Sequence, residues 1–224
     1  MTSESYIFLA GASRGIGREI AKYLIAENYQ VMALLRSFDA KPELEAMGIK
    51  VVIGDALDIA SVETVMLGEE NIATVISTIG GLPKDVEKAD YLGNKNLTDI
   101  ALKAKVQQFI LISSIGTGES VVALPPQAQE TLGPVLLEKE KAEQHLINSG
   151  LTYTIIRPGG LKSEPATGNG VLTQDFKIVG SIHREDVAQL TCKCLTSKAA
   201  KNQILSAVDR NMIYNQLEYE EFCL

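Results

Sequence analysis

The stretch Tyr6-Ile7-Phe8-Leu9-Ala10-Gly11-Ala12-Ser13-Arg14-Gly15-Ile16-Gly17 decides the fold class, because an apolar run of strand length enters a GxxxGxG turn. Apolar Ile20, Ala21, Leu24 and Ile25 follow at helical spacing. Glycine lets the backbone turn sharply and approach a pyrophosphate closely, while the helix start offers unpaired N–H groups and a partial positive charge. An ordinary glycine-rich βα turn would read similarly, but the strand-turn-helix context is that of a dinucleotide fingerprint. A P-loop would need a Gly-Lys-Ser/Thr that does not follow.

Outward from this point the strand-helix alternation continues. Apolar runs at 6–10, 30–35, 50–54, 74–78, 108–113 and 152–157 read as strands, with a late run at 203–208. Segments 15–27, 42–47, 61–67, 91–105, 134–149 and 184–195 read as helices. Nearly every strand is apolar on both faces, as strands sandwiched between helical layers are. The predicted fold is α/β, a doubly wound parallel sheet (Rossmann fold) of six strands in a single domain.

Composition narrows the class further. At 224 residues and 24.2 kDa the chain has the length of one large domain. Its 46% apolar content and mean hydropathy of +0.08 exclude a disordered chain, and its apolar runs are far shorter than the ~20 residues of a spanning helix, so no membrane insertion is expected. A net charge of −7 without clustered Lys or Arg argues against nucleic acid. Cys192, Cys194 and Cys223 have neither CxxC spacing nor a neighbouring His, so neither a disulfide framework nor a metal site is expected. The N-terminus lacks the basic region of a signal peptide, and a cytoplasmic setting is expected.

The end of the second strand selects between the two dinucleotides. An acid there binds the ribose 2′-hydroxyl, whereas Arg accommodates a 2′-phosphate. The sequence has Leu34-Leu35-Arg36-Ser37, and Arg14 in the loop supplies a second cation. NADP(H) is the expected cofactor; the alternative is that both arginines are solvated surface residues.

Together these residues resemble the short-chain dehydrogenase/reductase superfamily, within it the atypical NAD(P)-binding members related to Tic62-like proteins and flavin/biliverdin reductases. Further landmarks are Gly54-Asp55-Ala56-Leu57-Asp58, Ser77-Thr78-Ile79-Gly80-Gly81, Tyr91-Leu92-Gly93-Asn94-Lys95-Asn96-Leu97, Ser113-Ser114-Ile115-Gly116, Ile156-Arg157-Pro158-Gly159-Gly160-Leu161 and Arg184-Glu185-Asp186-Val187-Ala188. The resemblance implies that Gly11, Ser13, Arg14, Gly15, Ile16 and Gly17 hold the cofactor phosphates and that Arg36 takes the 2′-phosphate. It implies that Asp55 bonds the adenine amino group beside Ala56 and Leu57, and that Thr78, Ile79, Gly80 and Gly81 lie along the ribose. It also implies that Ser113 and Ser114 sit at the nicotinamide end, with Pro158, Gly159, Gly160 and Leu161 against the cofactor. Read as residues alone, Asp55 has the alternative of a turn or helix cap, and the two serines that of backbone satisfaction at a strand end.

Common members of the superfamily catalyse with Tyr-x-x-x-Lys on one helix. Here Val135, Lys139, Ala142 and Leu146 form one stripe, which turns Lys139 inward and leaves Lys141, about 200° round the helix, facing solvent. Val135 stands four residues before Lys139 and has no proton to donate. Lys139 and Ser114 are left as the candidate catalytic residues, with Lys139 also a ribose ligand. His145 is expected to be solvated, His183 structural or capping, and Tyr91 and Tyr153 packing aromatics.

Two aperiodic segments, 116–133 and 161–182, are rich in Gly, Pro and small polar residues and are expected to line the substrate entrance as loops; the second reads equally as a lid over the crevice or as a plain surface connection. The expected function is NADPH-dependent reduction of a planar apolar small molecule (flavin, quinone or tetrapyrrole), whose proton can come from solvent. The alternative is a catalytically idle NADP(H)-binding module that senses redox state or supports assembly with a protein partner.

Overall fold

Strand β1 (Tyr6–Ala10) lies in the middle of the sheet, and its side chains divide between two cores. Ile7 and Leu9 join one face with helices α1 (Gly15–Ala26) and α6 (Arg184–Thr196). Phe8 and Ala10 join the opposite face with α3 (Ile59–Met66), α4 (Leu92–Lys103) and α5 (Pro126–Asn148). Burial on both sides is why the strands read as continuous apolar runs. The computed structural model describes residues 5–80, 89–215 and 218–224.

The remaining parallel strands are β2 (Val31–Leu35), β3 (Lys50–Ile53), β4 (Ile72–Ser77), β5 (Gln108–Ile112), β6 (Tyr153–Pro158) and β10 (Gln203–Asp209), and α2 (Lys41–Ala46) links β2 to β3. The order is β3-β2-β1-β4-β5-β6-β10-β8, with β8 (Gly170–Thr173) antiparallel to β10. The sheet thus has eight strands where six were expected: the late apolar run is a seventh parallel strand, and β8 lies in a segment read as a loop. The direction in which successive strands are laid down switches sides between β1 and β4, which run parallel, and this opens a crevice at their carboxyl ends, the ligand position of doubly wound sheets.

Two expectations for the connections are corrected. Segment 161–182 is not a plain loop; it contains β8 and parts of β7 (Gly160–Lys162) and β9 (Ser181–His183), which pair with each other as a separate parallel ribbon. Strands this short, flanked by glycine, leave no period to read. Segment 116–133 holds a short 3-10 helix at Gly118–Ala123 and the first turns of α5, which begins at Pro126 instead of near Pro134. Pro126 suits the first helical turn, where its missing N–H is not needed, and Pro134 is carried inside the helix.

No helix among the described residues is long and apolar enough to cross a membrane. The three cysteines are free. Burial pushes the Cys192 and Cys194 thiols on α6 up to about 12, while Cys223 is exposed. A thiol reagent at about pH 8 is therefore expected to label Cys223 quickly and the other two only on unfolding. Three equally fast equivalents would contradict this packing.

Candidate active site

The turn after β1 is shaped by contacts that leave no room for side chains. Gly11 has φ +96°, and a Cβ there would stand 2.4 Å from Thr78 Oγ1. A Cβ on Gly17 would stand 2.2 Å from the Gly11 carbonyl oxygen. The Thr78 hydroxyl sits 3.2 Å from the Ala10 carbonyl and 3.3 Å from that of Gly11, fastening the turn to the end of β4. Arg18 braces it from below by donating to the carbonyls of Ala12 at 3.1 Å and Ser13 at 3.0 Å, and its outer edge pairs with Glu43. Arg18 was not among the expected site residues, since a helical arginine gives no sign in sequence that it faces back into a turn.

Helix α1 starts from Arg14, which caps with no side-chain hydrogen bond, and its first turn contains no acid. Among the described residues, no side chain caps the first N–H groups of the helix, which are left to donate to a ligand in the crevice. Gly11, Ser13, Arg14, Gly15, Ile16 and Gly17 line a cleft of about 450 Å³. Its other walls carry Arg36 and Ser37 after β2, Asp55 and Ala56 after β3, Thr78, Ile79 and Gly80 after β4, and Leu161 and Arg184 opposite the turn. Asp55 also accepts from the Leu57 N–H at 2.9 Å, so it closes a turn as well as lining the cleft. Asn96 on α4 donates to the carbonyls of Ala56 at 2.9 Å and Leu57 at 3.2 Å and so fixes that wall.

Other expected site residues lie off these walls. Gly81 falls outside the described residues. Leu57 is turned out of the lining. Ser113 is buried, 3.4 Å from the Thr117 hydroxyl, and Ser114 donates to the Ile115 carbonyl at 3.0 Å, so both hydroxyls serve the turn after β5. Pro158 is buried at the end of β6, and the N–H groups of Gly159 and Gly160 donate to Ala207 and Gly180, each at under 3 Å from the acceptor: 2.9 and 2.8 Å. These three act through the backbone in placing Leu161.

Lys139 on α5 approaches Gly80 of the cleft wall without itself lining the cleft. Its Nζ lies 3.1 Å from Asp90 Oδ1 and 3.6 Å from where a Cβ on Gly80 would stand. Lys141 is exposed, paired with Glu138 at 2.6 Å and set over the Tyr91 ring at 5.9 Å. Val135 is half-buried one turn before Lys139. His145 is not simply solvated: its Nε2 is 2.6 Å from Asp99 Oδ1 on α4. His183 is buried at the N-cap of α6 without capping it, 3.6 Å from Glu164 and 3.7 Å from Asp186. Ligand atoms of His183, Asp186 and Asp209 lie within 4.8 Å of one another. The two carboxylates there are engaged by Thr167, by the Gly168 N–H and by the Asn211 N–H.

A glycine cradle at an uncapped helix start, ringed by Arg14, Arg36 and Arg184 with Asp55 as the carboxylate among its lining residues, fits a dinucleotide. The family described as NAD(P)H-binding matches residues 11–198. The chain belongs to that family, as an atypical short-chain dehydrogenase/reductase-like Rossmann protein. Among solved structures, this NAD(P)H-binding protein is similar to ChuY, an anaerobilin reductase of Escherichia coli O157:H7, with 33% identity and a TM-score of 0.84 over 92% of this chain and 98% of that one. The sanguinarine reductase of Eschscholzia californica is 28% identical over 88% of this chain and 86% of its own. The chloroplastic protein TIC 62 of Pisum sativum is 30% identical over 84% of this chain, which spans only 39% of that longer protein.

Proposed function

We propose that this NAD(P)H-binding protein is an NADPH-dependent reductase of a planar, apolar small molecule such as a flavin, a quinone or a tetrapyrrole. The observation that carries the reading is the asymmetry of the site: a complete dinucleotide cradle with cations at the ribose end, and at the other end Lys139 without a phenol one turn before it. The reductase similarities favour the same class of chemistry.

NADPH, when bound, supplies a hydride. The turn and α1 hold the phosphates, Arg36 and Arg14 take the 2′-phosphate, and Asp55 and Ala56 border the adenine. Lys139, beside Gly80, holds the nicotinamide ribose through its hydroxyls. In this reading Ser114, in the turn after β5, would lie toward that end, and segments 116–133 and 161–182 would border the acceptor. Val135 offers no acid, so the acceptor takes its proton from solvent, and the chain's work is orientation. A conjugated acceptor suits this arrangement better than a simple ketone, whose alkoxide needs a nearby proton.

Calorimetric titration with NADPH and NADH, followed by oxidation of NADPH with a panel of flavins, quinones and linear tetrapyrroles, tests the proposal. NADPH is expected to bind at least tenfold tighter than NADH, with Arg36→Asp removing the preference. Lys139→Ala is expected to weaken NADPH by about 1.5–3 kcal/mol, roughly ten- to a hundredfold, and Lys141→Ala to leave it unchanged. Tight NADPH binding without oxidation by any acceptor would support the second reading, an idle NADP(H)-binding module for a protein partner, which the similarity to TIC 62 favours.

A further inference from the structure

Arg184 is the first residue of α6 and stands on the cleft wall facing the turn. Its Nε would be 3.8 Å from a Cβ on Gly15, so the guanidinium lies over the opening turn of α1. That turn contains no acid, and a cation beside a helix N-terminus is unfavourable unless an anion joins them. The carboxylates that follow it on α6, and that of Glu164 on the facing segment, are turned elsewhere. Glu185 accepts from Tyr23 and from the Ala166 N–H, Asp186 accepts from Thr167 and Gly168, and Glu164 lies against His183. Among the described residues Arg184 makes no ion pair, and its Nη1 donates to Ser163 Oγ at 2.6 Å.

We infer that Arg184 binds the pyrophosphate of the dinucleotide and couples its binding to the strap formed by residues 163–168. The inference rests on reading the cleft as a dinucleotide site. A planar guanidinium fork matches two phosphate oxygens at once, and here it reaches them from the wall opposite the helix N–H groups. The same four residues that open α6 hold the strap in sequence. His183 faces Glu164, Arg184 holds Ser163, Glu185 accepts from the Ala166 N–H at 2.9 Å, and Asp186 accepts from the N–H groups of Thr167 at 3.0 Å and Gly168 at 2.9 Å. Arg184 is the one of the four that also lines the cleft. Arg36, at the end of β2, senses what distinguishes NADP from NAD; Arg184 senses the diphosphate that both share.

Titration of the full chain with ADP, NADH and NADPH separates the two arginines. Arg184→Ala is expected to weaken all three ligands by a common factor of tenfold or more, with Arg184→Lys intermediate, because charge survives without the fork. Arg36→Asp is expected to weaken NADPH alone. Hydrogen exchange across 163–168 is expected to slow when ADP binds the wild-type protein and to stay unchanged when ADP saturates Arg184→Ala. Unchanged affinities in both Arg184 variants, or a loss confined to NADPH, would overturn the inference while leaving the cofactor reading standing. Wild-type protein that binds none of the three overturns both.

Discussion

Gly17→Ala is expected to abolish measurable NADPH binding and to remove about 3 kcal/mol of folding stability, the upper part of the usual range for overpacking. The added Cβ would meet the Gly11 carbonyl oxygen at 2.2 Å and Thr78 Oγ1 at 2.6 Å. One of those contacts is backbone, so relief requires α1 to back away from the turn. That motion withdraws the helix N–H groups from the phosphates, and the binding loss exceeds what the stability loss alone would produce. In a domain of this size the unfolding midpoint is expected to fall by roughly 6–12 °C. A variant that still binds NADPH within threefold of wild type would show that the turn is not a cradle.

Arg157→Met is expected to destabilise the protein by about 3–5 kcal/mol, because it strands a buried charge. Glu143 on α5 is fully buried, and Arg157 on β6 donates to both its oxygens, at 3.1 and 2.5 Å. Arg157 also lies close against the 3-10 segment, where a Cβ on Gly118 would stand 3.1 Å from its Nη2. The double change Arg157→Met with Glu143→Leu is expected to recover most of the loss, since it removes both desolvated charges together. Denaturant titration of the two singles and the double decides it. A double variant as unstable as the sum of its singles would mean that shape, and not the stranded charge, dominates.

The parts of this molecule that were legible in its sequence are those governed by local pattern. Strands buried on both faces announce themselves as apolar runs, and the cleft residues could be named because they sit where those runs end. Residues whose roles depend on distant partners gave no such sign. Arg18 reads as an ordinary helical arginine until the turn folds back over it, and Arg157 reads as a strand terminus until α5 brings Glu143 across. His145 was expected in solvent because its helix face could be inferred, but the approach of Asp99 from α4 could not. Ribbon strands β7 and β9 and edge strand β8 were missed because three or four residues are too few for alternation. The early start of α5 was missed because Pro134 reads as a boundary when it is in fact inside the helix.

Helices α1 and α6 pack directly against each other, with Ala21 and Ala188 fully buried in their shared core. Tyr23 bridges the seam, donating to Glu185 at 3.3 Å and accepting from Gln189. One helix presents Gly15 and the other presents Arg184, so the width of the crevice follows how closely these two helices meet at Ala21 and Ala188 and the larger side chains beside them. Affinity for the dinucleotide is consequently adjustable at a distance, through methyl-sized changes along this seam, while every group that touches the ligand stays as it is.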